Sequence, residues 1–409
     1  MSQVAWATSV RWFAHLLVLG SLPGVPSVAS GQRAVGIGWV ADTIPSRALG
    51  QRTVYVATPE GYDDGTSRYP LLVLLDADFR SSFQLWIAQA TFLADFSTGV
   101  PRVIVVGIPN GRDRIHDMTP PATGSWVQRF PTAGGAAAFA DFVIDEVLPH
   151  VRARYRTLPS VTLAGWSAAG LFALDVAARR PGAFQGIIAM DASLQFNDAT
   201  LVDTYAALLR RARSRPRLFV SIRGIEESVA TEAGRRFAQL LNASLGGASS
   251  YRVYPDATHQ LVQASFGDGL QFIFDPVSPR HLAIARLDVT KADAAALDAA
   301  LRSSAITYAT ATRSLGLPEA LPEEMLNDLG YELMEHHKAA LAVSVFQQNV
   351  NAYPHSPNAY DSLADGFLAV ADTAAALTQL RTAVKVSHSV GVPVHPETRR
   401  KLELLQTRK

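Results

Sequence analysis

Ser167 lies between an apolar run and a helical one. Val161-Thr-Leu-Ala-Gly165-Trp166-Ser167-Ala168-Ala169-Gly170 leads directly into Leu171-Phe-Ala-Leu-Asp-Val. A serine on a tight strand-to-helix turn forms a nucleophile elbow, which lifts the hydroxyl clear of the backbone. Such a turn crowds strand against helix, so small residues are needed two positions to either side. Gly165 meets that need, and Ala169 stands where a second glycine is usual, with Gly170 next. The positive end of the following helix faces the place where an oxyanion would develop. The plainer alternative is a serine that only caps a helix.

A hydroxyl attacks poorly until a base takes its proton, and the chain order for this arrangement is Ser, acid, His. Between Ser167 and residue 280 there is one histidine, His259, in a loop after the β-rich run Tyr251-Arg-Val-Tyr. Several carboxylates could hold its ring. Glu227 comes first, because it follows the apolar run 217–222 and the turn Arg223-Gly224, at a strand end. Glu226 beside it, Asp191 after Gly186-Ile-Ile-Ala-Met190, and Asp256 near His259 stay open. The oxyanion would be met by the amide of Ala168 and by that of Asp78, in the turn after Leu71-Leu-Val-Leu-Leu75.

These groups need a sheet to position them. Runs at 71–75, 103–108, 161–165, 186–190 and 217–222 are apolar at nearly every position, the pattern of parallel strands buried on both faces. An earlier strand is expected at Arg52–Ala57. Amphipathic stretches lie between the runs. The clearest is Ala136–Tyr155, with Phe139, Phe142, Val143, Val147, Val151 and Tyr155 on one stripe. The fold expected is α/β: a doubly wound, mostly parallel sheet over residues 32–278.

After Pro276 the strands stop and an alanine-rich helical pattern occupies 279–409, read as a small all-α domain. Shifting the sequence by 34 residues sets Leu329 on Leu363, Gly330 on Ala364, Ala342 on Ala376, Phe346 on Leu380 and Asn349 on Ala383. That period, over about 323–390, resembles the tetratricopeptide repeat, whose surfaces offer a place for a protein partner.

The 409 residues carry a net charge of +1, with 48% hydrophobic and 18% charged residues. A chain this size favours two domains. Its near-neutrality argues against nucleic acid, which is gripped by clustered Lys and Arg. With no cysteine, disulfides, thiolate nucleophiles and Cys-ligated zinc are excluded. His336-His337 shows no metal-ligand spacing and no phosphate-cradling glycine loop occurs, so neither metal nor cofactor is expected. Residues 1–31 read as an export signal: Arg11, the apolar run 12–20, and small residues around Ala29 and Gly31. A periplasmic or secreted product without a membrane span is the expectation.

Taken together, several motifs resemble the putative esterase family of α/β-hydrolases over about residues 35–275. They are Tyr69-Pro70 to Asp76-Ala-Asp78; Val106-Gly-Ile-Pro-Asn110 with Arg114, Asp117, Thr119 and Pro120; Gly134-Gly135, Phe139, Glu146, Pro149 and Tyr155-Arg156-Thr157; and Gly165-Trp-Ser-Ala-Ala-Gly170. That family groups S-formylglutathione hydrolases, enterochelin-type siderophore esterases and feruloyl or acetyl-xylan esterases. The resemblance implies a Ser-His-acid hydrolase of small carboxylic esters, with an acid three residues after a glycine, as Glu227 follows Gly224. It leaves the ester open. Trp166 and His116 depart from the family's usual histidine and arginine, and Ala169 from its glycine. The first two become candidates to line the substrate pocket, against the plainer readings of a packed tryptophan and a loop histidine. A binding module acting through the repeats is the alternative function.

Overall fold

The apolar runs form the middle of one eight-stranded sheet in the computed structural model, which describes residues 38–96, 99–224 and 228–407. The strands are β1 Val40–Ser46, β2 Gly50–Ala57, β3 Tyr69–Leu75, β4 Ile104–Ile108, β5 Thr157–Trp166, β6 Gly186–Met190, β7 Arg217–Arg223 and β8 Ser249–Tyr254. Their order is β1-β2-β4-β3-β5-β6-β7-β8. β1 and β2 pair antiparallel, as do β2 and β4, and every other neighbour is parallel. β1 has no counterpart among the strands expected from sequence. It is an edge strand with one fully buried residue, Ile44, so it lacks the apolar run that betrays the central strands.

The helices within this part are α1 Arg80–Asp95, α2 Arg114–Met118, α3 Trp126–Arg129, α4 Ala136–Asp141, α5 Leu148–Arg154, α6 Ala168–Arg179, α7 Thr200–Arg211, α8 Val229–Leu245 and α9 Phe266–Phe274. Between α4 and α5 the chain stays helical through a π stretch, Phe142–Val147, where the Leu148 N–H reaches back to the Val143 carbonyl. The stripe expected on this segment is the face it buries, from Phe139 through Phe142, Val143 and Val147 to Val151. One core holds that stripe with α6, α7 and α8 on one side of the sheet. On the other side, Phe83 and Trp86 of α1 and Phe266, Leu270 and Phe274 of α9 cover Leu72 and Leu74 of β3. Helices on both faces explain why the central strands are apolar throughout.

The tail is all-helical: α10 Ala294–Thr312, α11 Glu323–Glu335, α12 Ala339–Ala352, α13 Pro357–Ala369, α14 Thr373–Val390 and α15 Pro396–Thr407. Its apolar side chains, from Leu297 to Leu363, belong to the same core as α1, α9 and that face of the sheet. Chain contacts accordingly gather Ile37–Lys409 in one unit. The pairs α11/α12 and α13/α14 begin 34 residues apart. A Cβ on Gly330 of α11 would lie 2.3 Å from the Phe346 ring of α12, which explains a glycine opposite that phenylalanine. Among the described residues no helix is long and apolar enough to cross a membrane. The expected export signal, 1–31, lies outside the described residues.

Candidate active site

Three neighbouring parallel strands run into residues with left-handed backbone: Asp76 after β3 (φ 58°), Ser167 after β5 (φ 62°) and Asp191 after β6 (φ 40°). For a residue with a Cβ that conformation costs about 1–2 kcal/mol. Three such residues at one sheet edge persist only because their surroundings over-determine them.

The elbow shows how. The Ser167 N–H donates to the Met190 carbonyl at 2.9 Å, and the Ser167 carbonyl accepts from Leu171 and Ser193 at 3.0 and 3.1 Å. A Cβ on Gly165 would meet the Ala169 carbonyl oxygen at 2.4 Å, so the strand side of the turn admits only glycine. Ala169 is fully buried, and its methyl occupies the space that Gly165 leaves.

His259 Nε2 stands 3.1 Å from Ser167 Oγ, and its Nδ1 stands 2.5 Å from Asp191 Oδ2. With the proton on Nδ1, the ring donates to Asp191 and accepts from the serine hydroxyl, as deprotonation of Ser167 requires. Asp191 is 3% exposed and takes a second contact from Arg223 Nη1 at 2.8 Å, while its own N–H donates to the Ser221 carbonyl. At this ring nitrogen stands Asp191, one of the acids left open beside Glu227 in the sequence reading. Glu226 and Glu227 lie outside the described residues. Asp256 is exposed on the loop after β8 and makes no contact with the ring.

Two further links set the geometry. The Trp166 indole N–H donates to the His259 carbonyl at 2.7 Å, and its ring lies 4.4 Å from the imidazole, centre to centre. Trp166 therefore positions the histidine loop. It does not line the cavity of about 120 Å³ beside Ser167, which Ala168, Ser193 and residues of α3 enclose. His116 is also absent from that lining. Its Nδ1 contacts Asp117 at 3.1 Å, and Gly135 packs against its ring, leaving it half-exposed within α2.

On the other side, Arg114 grips fully buried Asp76 with two bonds, Nε to Oδ1 at 2.6 Å and Nη2 to Oδ2 at 2.7 Å. Nη2 also donates to the Trp166 carbonyl at 3.1 Å. One guanidinium thereby ties the end of β3 to the residue before Ser167. The turn so held, Asp76-Ala77-Asp78-Phe79, carries the amide expected as the second oxyanion donor. The Asp78 carboxylate is occupied elsewhere, accepting from the Asn110 backbone N–H at 3.0 Å and from its side-chain amide at 2.9 Å. Ala168 opens α6, and the first N–H groups of a helix lack partners within it. Arg114 was legible in sequence only as part of a resemblance, and Arg223 and Ser193 not at all. The missed signal was Asp76, a charged residue closing a strand otherwise wholly apolar.

The fold is that of an α/β-hydrolase. Residues 46–218 match the family described as putative esterase, and the likeness read from sequence holds across that stretch. The chain is 30% identical over 142 residues to the ferri-bacillibactin esterase BesA of Bacillus subtilis, covering 32% of this chain and 49% of that protein. It is also 30% identical over 164 residues to a siderophore triacetylfusarinine C esterase of Aspergillus fumigatus, 36% of this chain and 53% of that one. The chain therefore spans about half the length of the curated relatives it matches. Among solved structures, an IroE-like serine hydrolase of Shewanella oneidensis superposes with a TM-score of 0.63 at 23% identity, over 76% of this chain and 99% of that one. An uncharacterised protein of Capnocytophaga ochracea superposes at 0.55 and 15% identity over 90% of this chain and 100% of that one, so the fold extends into the helical tail.

Proposed function

We propose that the chain is a serine hydrolase that cleaves carboxylic esters through an acyl-enzyme, with Ser167 as nucleophile, His259 as base and Asp191 as the acid that orients it. The observation that carries this reading is the continuous contact from Ser167 Oγ through His259 to Asp191, at 3.1 and 2.5 Å. Ser167 Oγ bonds to the ester carbonyl carbon as His259 takes its proton. The amides of Ala168 and Asp78 hold the oxyanion, and the C–O bond to the alcohol breaks as His259 returns the proton to the departing oxygen. Water, deprotonated by His259, then releases the acid and restores the serine. A side chain that merely capped α6 would need neither the imidazole nor the carboxylate.

The same reading places the product outside the cytoplasm after removal of residues 1–31, and treats α11–α14 as a tetratricopeptide-like pair packed behind the sheet. The names of the curated relatives put esters of iron-chelating compounds first among substrates to try. The test is turnover of short 4-nitrophenyl esters and labelling by a fluorophosphonate. Ser167→Ala is expected to lose at least about 1,000-fold in kcat and all labelling, with an unchanged thermal midpoint. Equal turnover by wild type and Ser167→Ala overturns the assignment.

A further inference from the structure

The cavity of about 120 Å³ beside the nucleophile is small against the roughly 300–1,000 Å³ of a drug-sized ligand site, so it takes a short group. Its floor is Ala168 and Ser193, and the Ser193 hydroxyl lies 3.4 Å from Ser167 Oγ. Its walls are aromatic: Trp126, Phe130 and Phe196 pack together, with ring centres 5.2–6.0 Å apart. His259 is not among the lining residues. Because His259 must hand its proton to the departing alcohol, the leaving group lies on its side of Ser167. The cavity adjoins Ala168 instead, whose amide meets the carbonyl oxygen, so it receives the acyl half of the ester.

The cavity also carries a cation. Arg129 stands among its lining residues with its guanidinium over the rings of Trp126 and Phe130, 5.4 and 5.3 Å from their centres. Arg129 makes no ion pair or hydrogen bond among the described residues. Asp198, the carboxylate on the facing loop, accepts the Trp126 indole N–H at 2.9 Å instead. That loop is held rigidly: Asn197, Asp198 and Ala199 all have left-handed backbone, and the Asn197 amide bonds Thr123 N–H and the Pro121 carbonyl at 2.9 Å each. A stacked guanidinium held over an apolar slot presents its N–H fork to an oxyanion arriving through that slot.

We infer that this site selects esters whose acyl group has a short apolar body and ends in an anionic oxygen group such as a carboxylate, with Arg129 as the residue that reads that end. The inference rests on the ester-hydrolase reading above and narrows it to a substrate class. The experiment compares kcat/KM for the 4-nitrophenyl hemiester of glutaric acid with that for 4-nitrophenyl valerate, in wild type, Arg129→Lys and Arg129→Gln. In parallel, calorimetry measures binding of free glutarate.

The wild type is expected to favour the hemiester. Arg129→Gln should lower the hemiester-to-valerate ratio about tenfold, Arg129→Lys should keep part of it, and added salt should erode the wild-type ratio. Glutarate should bind the wild type several-fold tighter than Arg129→Gln. A ratio that Arg129→Gln leaves unchanged overturns the inference while leaving the hydrolase standing. Should neither ester turn over, the hydrolase reading fails, and the glutarate titration decides the cavity by itself: Arg129-dependent binding supports it, and equal binding overturns it.

Discussion

The sheet edge around Ser167 and the helical tail both hold residues in left-handed backbone, but for different ends. At the edge, Asp76, Ser167 and Asp191 each stop a buried strand, and each is fastened by bonds to another strand end or to the loop opposite. In the tail, His337 and Ala371 stop α11 and α13, one at each unit of the 34-residue repeat, with φ of 60° and 61°. Both are closed by the same bonds: Lys338 N–H to Leu333, and Asp372 N–H to Phe367. That is a helix terminus in which glycine is the usual residue. Strain at the edge aims side chains, whereas strain in the tail only turns the chain. The two should therefore respond in opposite ways to substitution.

The largest test concerns the acid. Asp191→Asn keeps the shape of the side chain but no longer holds the imidazole in the tautomer that accepts from Ser167, and kcat should fall about 10⁴-fold. Glu227→Gln should stay within about threefold of wild type. A reversal of these two results would restore the strand-end glutamate that the sequence favoured, and would make the contact of Asp191 with His259 incidental.

Next in size is Arg114→Met. It leaves the Asp76 carboxylate buried without a cation, which costs about 3–5 kcal/mol, and it frees the Asp78 turn from the Trp166 carbonyl. Denaturant midpoints should drop accordingly, and kcat/KM of the protein still folded should fall about 10–100-fold. If stability fell with the turnover of the folded fraction intact, Arg114 would support the sheet without positioning the turn.

Much of this was legible in the sequence, and the division follows locality. The elbow could be read because strand, turn and helix are contiguous, and His259 because no other histidine competes for its place before residue 280. The central strands showed themselves through burial on both faces, and the helix pairs through a period that one shift of the sequence exposes. The acid could not be chosen that way, because Asp191 and Glu227 both follow apolar strands, and the contact of Asp191 with His259 arises only from the three-dimensional approach of β6 to the loop after β8. Arg114, Arg223 and the Trp166 contact with His259 join residues 32 to 93 positions apart, so no local pattern announces them. The shared core of tail and sheet escaped for a similar reason. A composition shift near residue 278 marks where strands end, and it carries no information about what the helices after it lie against.

The smallest test works on the tail. Ala371 is exposed and has a left-handed φ of 61°, a conformation that glycine adopts without a Cβ penalty. Ala371→Gly should therefore raise stability, by about 0.5–1 kcal/mol once the greater freedom of glycine in the unfolded chain is set against the relieved strain. Ester turnover should not change, because Ala371 turns the chain between two tail helices and none of the contacts that fix Ser167, His259 or Asp191 involves it. Equilibrium unfolding monitored by circular dichroism, with turnover assayed on the same preparation, reads both. A loss of stability would show that the Ala371 methyl contributes packing that outweighs its backbone. A change in turnover would show that the tail reaches the catalytic edge through the core they share, and the contrast between the two regions would then fail.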